Sequence, residues 1–141
     1  MNKINVAIGD AVMLTNWVWV GLGGAIGAMA RYGVGLLLPH ILGKTFPFAT
    51  LTVNILGSFL LAMLLVWQQQ QSIHQSWWLF LGVGLLGAFT TFSTFSVEVV
   101  QLAQQGELLK AAIHAAANFI CCLAAVLIAL WLKPYYLNIW D

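Results

Sequence analysis

The chain is 141 residues long, 62% hydrophobic and 6% charged, with a mean hydropathy of +0.92. Five Lys/Arg and four Asp/Glu cannot cover the surface of a water-soluble domain of this size, which carries roughly 25% charged residues, so the composition places the chain in lipid. The net charge of +1 and the lack of a basic block exclude a nucleic-acid binder, which needs a concentrated Lys/Arg footprint.

A bilayer core of about 30 Å takes roughly 20 apolar residues per helical crossing. Residues 1–16 carry one lysine, a central aspartate and no small-residue cleavage site, and read as an interfacial N-terminal extension. The first span runs over residues 17–39, from Trp17 to Pro39. It is rich in glycine, interrupted only by Arg31, and predicted to end at Pro39. After the loop 39-PHILGKTFP-47, Pro47 occupies the first turn of the next helix, where its missing N–H costs nothing, and residues 48–67 form the second span.

The polar run 68-QQQQSIHQS-76 separates this span from a third over residues 77–102, which opens on Trp77 and Trp78 as interfacial aromatics. The connection 104-QQGELLK-110 holds a glycine suited to stopping a helix. The fourth span, 111–132, is closed by Lys133, Pro134 and two tyrosines, with 134–141 as a C-terminal tail. Runs of this length do not alternate as strands do. The expected fold is therefore an all-α integral membrane protein, with one four-helix domain over 17–133.

Four spans put Lys3 and Lys133 on one side of the membrane and Lys44 and Lys110 on the other, with Arg31 inside the first span near its end. Lys/Arg asymmetry sets orientation, and two against two carries almost no instruction. Insertion both ways would let two copies meet as an antiparallel, dual-topology homodimer with its two-fold axis in the membrane plane. The competing reading is one fixed orientation, biased by Arg31.

Polar groups inside a span are functional candidates. Thr50, Asn54 and Ser58 recur every four residues on one face of the second span, where Gly57 admits a neighbouring helix. They serve either as helix-to-helix glue or as a working polar lining; Asn54, whose amide needs outside partners, favours the second. The stretch 87-GAFTTFSTFS-96 places five hydroxyls after a run of glycines, which predicts a break near Gly87 to Thr90. Carbonyls freed there must be buried in protein or bound to a hard cation such as sodium. Phe92 and Phe95 share a face, with Phe89 one turn earlier; the rings either pack as core or turn their positive edges toward an anion path.

His114 and Asn118 share a face of the fourth span, as packed or pore-edge groups, and Cys121 and Cys122 act as small apolar fillers. No second histidine or carboxylate stands at zinc-ligand spacing. The sequence offers no nucleophile with a base, no phosphate loop and no pair of intramembrane carboxylates, so it does not read as an enzyme.

The stretches 23-GGAIGAMARY-32, 46-FPFATLTVNILGSF-59 and 82-GVGLLGAFTTFSTFSVEVV-100 resemble the signatures of the CrcB/Fluc fluoride channel family. The resemblance implies a dual-topology homodimer with two antiparallel pores, passively exporting fluoride across the cell inner membrane. It implies that Asn54 and the ring edges of Phe92 and Phe95 handle fluoride, with Thr50, Ser93 and Thr94 as polar lining, Glu98 near one pore end and Arg31 at the wide vestibule. It implies a structural, non-transported sodium ion on the backbone carbonyls of Gly87 and Thr90, two from each subunit. Where many relatives have tyrosine and serine, this chain has His114 and Asn118.

Two other functions compete. A small multidrug-type exporter needs a mid-membrane acid in an early span, and the first two spans have none. A non-transporting membrane subunit would use Asn54 and the hydroxyls as interface glue. If insertion is dual, a reporter fused to the C-terminus appears on both sides of the membrane; appearance on one side alone overturns it.

Overall fold

The structure, a computed structural model, describes residues 3–70 and 73–132. The expected tail 134–141 and its anchor Lys133 lie outside the described residues, as do Met1 and Asn2 of the N-terminal extension. Among the described residues four helical segments are long and apolar enough to cross a membrane: Met13–Leu42, Phe48–Gln69, Gln75–Gln104 and Leu108–Trp131.

The first helix, α1 (Lys3–Leu42), continues without interruption from the extension into the first span. It also runs past Pro39, where the sequence predicted its end. Proline removes one N–H and crowds the carbonyl four residues back, but this close to the terminus only one helical bond is lost. His40 adds a new one, its Nδ1 donating to the Leu36 carbonyl at 2.6 Å. The stop comes at Gly43, whose φ of +85° takes the chain out of helical geometry where a side chain would be strained.

Helix α2 (Phe48–Gln70) starts directly after Pro47 and carries three glutamines of the polar run as its last residues. Helix α5 (Leu108–Trp131) begins three residues before the expected 111. The turn before it closes as a Schellman motif: Glu107 N–H donates to the Leu102 carbonyl at 2.9 Å and Gly106 N–H to the Ala103 carbonyl at 3.1 Å, with Gly106 at φ +81°.

The third span is two half-helices. The first, α3 (75–89), consists of a turn at Gln75–Trp77, a π-helical stretch over Trp78–Leu86 and a turn at Gly87–Phe89. The second is α4 (Phe92–Gln104). Thr90 (φ −81°, ψ 156°) and Thr91 (φ −153°, ψ 109°) join them as extended backbone, so the predicted break is real and lies at its C-terminal limit.

Helix α1 packs along α3, α2 along α5, and α4 also against α5. Glycines let α1 and α3 touch backbone to backbone. A Cβ on Gly23 would strike the Phe80 carbonyl oxygen, one on Gly27 the Leu85 carbonyl oxygen, and one on Gly84 would lie 2.7 Å from the Val20 carbonyl oxygen. The Gly-x-x-x-Gly spacing of Gly23 and Gly27 is the sequence signal for this approach, and it stood unused inside a span read only as glycine-rich. On the other side, a Cβ on Gly57 would strike the Thr90 methyl, so Gly57 does admit its neighbour, which is the break itself.

Gly27→Val should lower stability in detergent by about 1–3 kcal/mol, the usual range for overpacking, read as a lower melting temperature. Gly21→Ala, with no atom within 4 Å of the new methyl, should leave it unchanged.

Candidate functional site

The site is built around the break. In a continuous helix the Thr91 N–H would close on the Gly87 carbonyl; here it donates to Asn54 Oδ1 at 2.8 Å. Asn54 Nδ2 returns a bond to the Thr91 carbonyl at 3.2 Å, so one side chain of α2 grips both faces of one residue's backbone. Thr91 caps α4, its Oγ1 accepting the Thr94 N–H at 3.2 Å, which withdraws that donor from the Thr90 carbonyl. The Ala88 carbonyl accepts from Arg31 Nε of α1 at 3.0 Å. Side chains from two helices thus replace backbone partners that the break removes, as membrane depth requires.

A chain of polar side chains leads away from this point. Asn54 Nδ2 donates to Asn118 Oδ1 at 2.9 Å, and Asn118 Nδ2 lies 3.3 Å from His114 Nδ1 and 3.2 Å from the His114 carbonyl. His114 Nε2 lies 3.1 Å from Glu98 Oε2, and Thr50 Oγ1 donates to Glu98 Oε1 at 2.7 Å. The His114 ring has no exposed surface and sits between Phe46, edge-on at 5.3 Å, and Phe95 at 5.4 Å. Helices α4 and α5 and the loop at Phe46 therefore meet at one buried imidazole, and α2 is joined to it through Thr50 and Asn54.

The structure brings Thr50, Asn54 and Glu98 into this network and leaves Phe92, Ser93 and Thr94 on the outer side of α4. Phe92 is 78% exposed on the single chain and touches Phe95 at 5.3 Å, tilted by 56°. It is not a core residue. Phe89 belongs to the preceding half-helix and does not continue the Phe92–Phe95 row across the break. Arg31 and Glu98 line one cleft of about 830 Å³ with Lys44, Thr50, Thr94 and Gln101, so the vestibule position given to Arg31 and the pore-end position given to Glu98 share a single opening.

Two features escaped the sequence reading. Thr91 carries the capping role, and its signal was a threonine just ahead of an amphipathic stretch with a partner three residues on. His114 and Asn118 are central members of the network; their spacing put them on one face but could not say what that face meets. Asn54→Ala should leave the Thr91 N–H unpartnered, at a cost of about 1–3 kcal/mol, and speed amide exchange at Thr91. Unchanged exchange there would remove Asn54 from this holding role.

The family model for CrcB-like protein, Camphor Resistance (CrcB), matches residues 18–130. A protein of Idiomarina loihiensis named fluoride-specific ion channel FluC is 59% identical over 120 residues, covering 85% of this chain and 93% of its own length. Proteins of the same name from Shewanella amazonensis and Shewanella oneidensis are 46% and 45% identical over 113 residues, each covering 80% of this chain and 91% of their own length. The match takes in all the span-forming helices and the break between α3 and α4, and the chain belongs to the CrcB family, a family of ion channels and not of enzymes.

Proposed function

We propose that the protein is a fluoride-selective channel that lets fluoride leave the cytoplasm passively across the cell inner membrane. The observation that carries this reading is the 59% identity, over nearly the full length of both chains, to a protein named for fluoride conduction. Fluoride is small and strongly hydrated, so a path for it must offer hydrogen-bond donors in place of water. The hydroxyls of Ser93 and Thr94 and the ring edges of Phe92 and Phe95 supply donors and positive edges on the first turn of α4, to which Asn54 is joined through Thr91. Arg31 and Lys44 in the cleft raise the local concentration of anions, and Glu98 lines the same cleft. Hydrogen fluoride enters cells as a neutral acid and dissociates, and an inside-negative potential drives the anion out with about 2.3 kcal/mol per 100 mV.

The same exposed turn supports assembly as an antiparallel homodimer. Phe92, Ser93 and Thr94 are exposed on the single chain at membrane depth, where uncovered hydroxyls are unfavourable, and a second copy of the chain would cover them. Lysines divided evenly between the two faces permit the two-way insertion such a dimer needs.

The break also fits a structural sodium ion. The donors that a continuous helix would give to the Gly87 and Thr90 carbonyls are engaged by Asn54 and Thr91 Oγ1, which leaves hard oxygen ligands on a surface-facing turn. Gly87 and Thr90 would hold the ion, which supplies positive charge to oxygens that have lost their helical donors. Asn54 orients that turn, and Arg31 holds the adjacent Ala88 carbonyl away from it.

Purified protein in liposomes should release fluoride and retain chloride without a proton gradient. Phe92→Ile or Phe95→Ile should slow fluoride release by about tenfold or more, a barrier raised by about 1.4 kcal/mol or more. Undiminished release in both variants removes the ring-edge role; purified wild-type protein that conducts no fluoride overturns the channel reading.

A further inference from the structure

The hydrogen bonds between Glu98 and Thr91 form a relay whose two ends have fixed polarity. At one end the Thr91 backbone N–H can only donate, so the Asn54 oxygen must face it. Asn54 then presents its NH2 group to Asn118, whose oxygen must accept. Asn118 in turn presents its own NH2 group to His114 Nδ1, which must therefore carry a lone pair and no proton. The ring proton is left on Nε2, where it meets Glu98 Oε2, and an ionised carboxylate can only accept. Each link determines the next, and a neutral imidazole satisfies all of them with none left over.

We propose that His114 is a positioning residue: its neutral, Nε2-protonated ring sets the direction of the relay through Asn118 and Asn54 and so holds the Thr90–Thr91 break in its extended form. A second proton on the ring has no place in this relay. With Nδ1 protonated, two donors face each other at His114 and Asn118. Turning the Asn118 amide moves the conflict to Asn54, and turning the Asn54 amide moves it to the Thr91 N–H, which cannot turn. Acidification therefore loosens the grip of Asn54 on the break, and with it the turn that begins at Phe92.

The groups facing the ring are few. Glu98 from α4 is the titratable neighbour, and it is shared with Thr50 of α2. Asn118 of the same helix, Phe95 of α4 and Phe46 of the loop bring no charge. Lys110, one turn earlier on α5, is paired with Glu107 at 3.0 Å, and Arg31 and Lys44 line the same cleft as Glu98, Arg31 already donating to Ala88. The ring is enclosed, so a proton reaches it through Glu98 and the cleft.

The conduction readout rests on the fluoride-channel reading; the spectroscopic one does not. Fluoride release from vesicles holding the full chain is measured from about pH 8 down to about pH 4, with the leak of protein-free vesicles subtracted. Wild-type release should fall by about tenfold, the size of one unmade buried hydrogen bond. In His114→Gln, which keeps a donor toward Glu98 but cannot titrate, release should not follow pH. In Asn118→Asp, whose carboxylate accepts from both Asn54 and a doubly protonated ring, the fall should vanish.

A flat wild-type profile overturns the proposal, as does a fall that persists in His114→Gln. In parallel, nitrogen-15 spectra of the wild-type histidines at neutral pH, with His114 assigned by its loss in His114→Gln, should show Nε2–H and a bare Nδ1. An Nδ1–H signal overturns the relay whatever the conduction result. Wild-type protein that conducts at neither pH overturns the fluoride reading, and the spectrum then decides the relay alone.

Discussion

The side chain of Asn54 takes the place of a helix turn. Its oxygen accepts the Thr91 N–H and its nitrogen donates to the Thr91 carbonyl, so a residue torn out of helical geometry keeps both backbone bonds. In water such a break could be solvated for little. In lipid each open backbone group costs several kcal/mol, and a broken helix persists only where other protein groups satisfy it. The Thr91 cap and the Arg31 bond to Ala88 do the same work at the neighbouring positions. Thr90 turns its methyl to Gly57, where no side chain stands in the way.

Glycine decides where these partners can reach. Gly23, Gly27 and Arg31 are spaced four apart on α1; the first two bring that helix against the backbone of α3, and the third then falls level with the break. The π-helical stretch of Trp78–Leu86 lies on the same contact and places the buried Gly82 and Gly84 within it, with the Trp78 ring over Gly82. Widened turns of this kind occur at working sites more than elsewhere, and here one ends a single turn before the break.

Two groups of residues in the spans have different surroundings. Thr50, Asn54, Glu98, His114 and Asn118 are joined to one another within the subunit. Phe92, Ser93 and Thr94 point outward. The inner group gives the fold a partnered polar seam between α2, α4 and α5, which favours the register in which these donors and acceptors meet. The outer group is the face that the inner one holds in place.

The sequence by itself determined the solvent and the number of crossings, because nine charges among 141 residues and four long apolar runs admit few alternatives. It also marked Asn54 and the hydroxyl-rich stretch, since an amide and five hydroxyls at membrane depth must have partners. It misplaced the end of α1: the effect of Pro39 depends on its distance from the helix terminus, and Gly43 stops the chain through a backbone angle. What His114 and Asn118 do was decided only by the tertiary structure. A helix face shows which residues look the same way and not what they look at; only the packing of α2, α4 and α5 brought Glu98, His114, Asn118 and Asn54 into hydrogen-bond range, and a hydrogen bond exists only at that range.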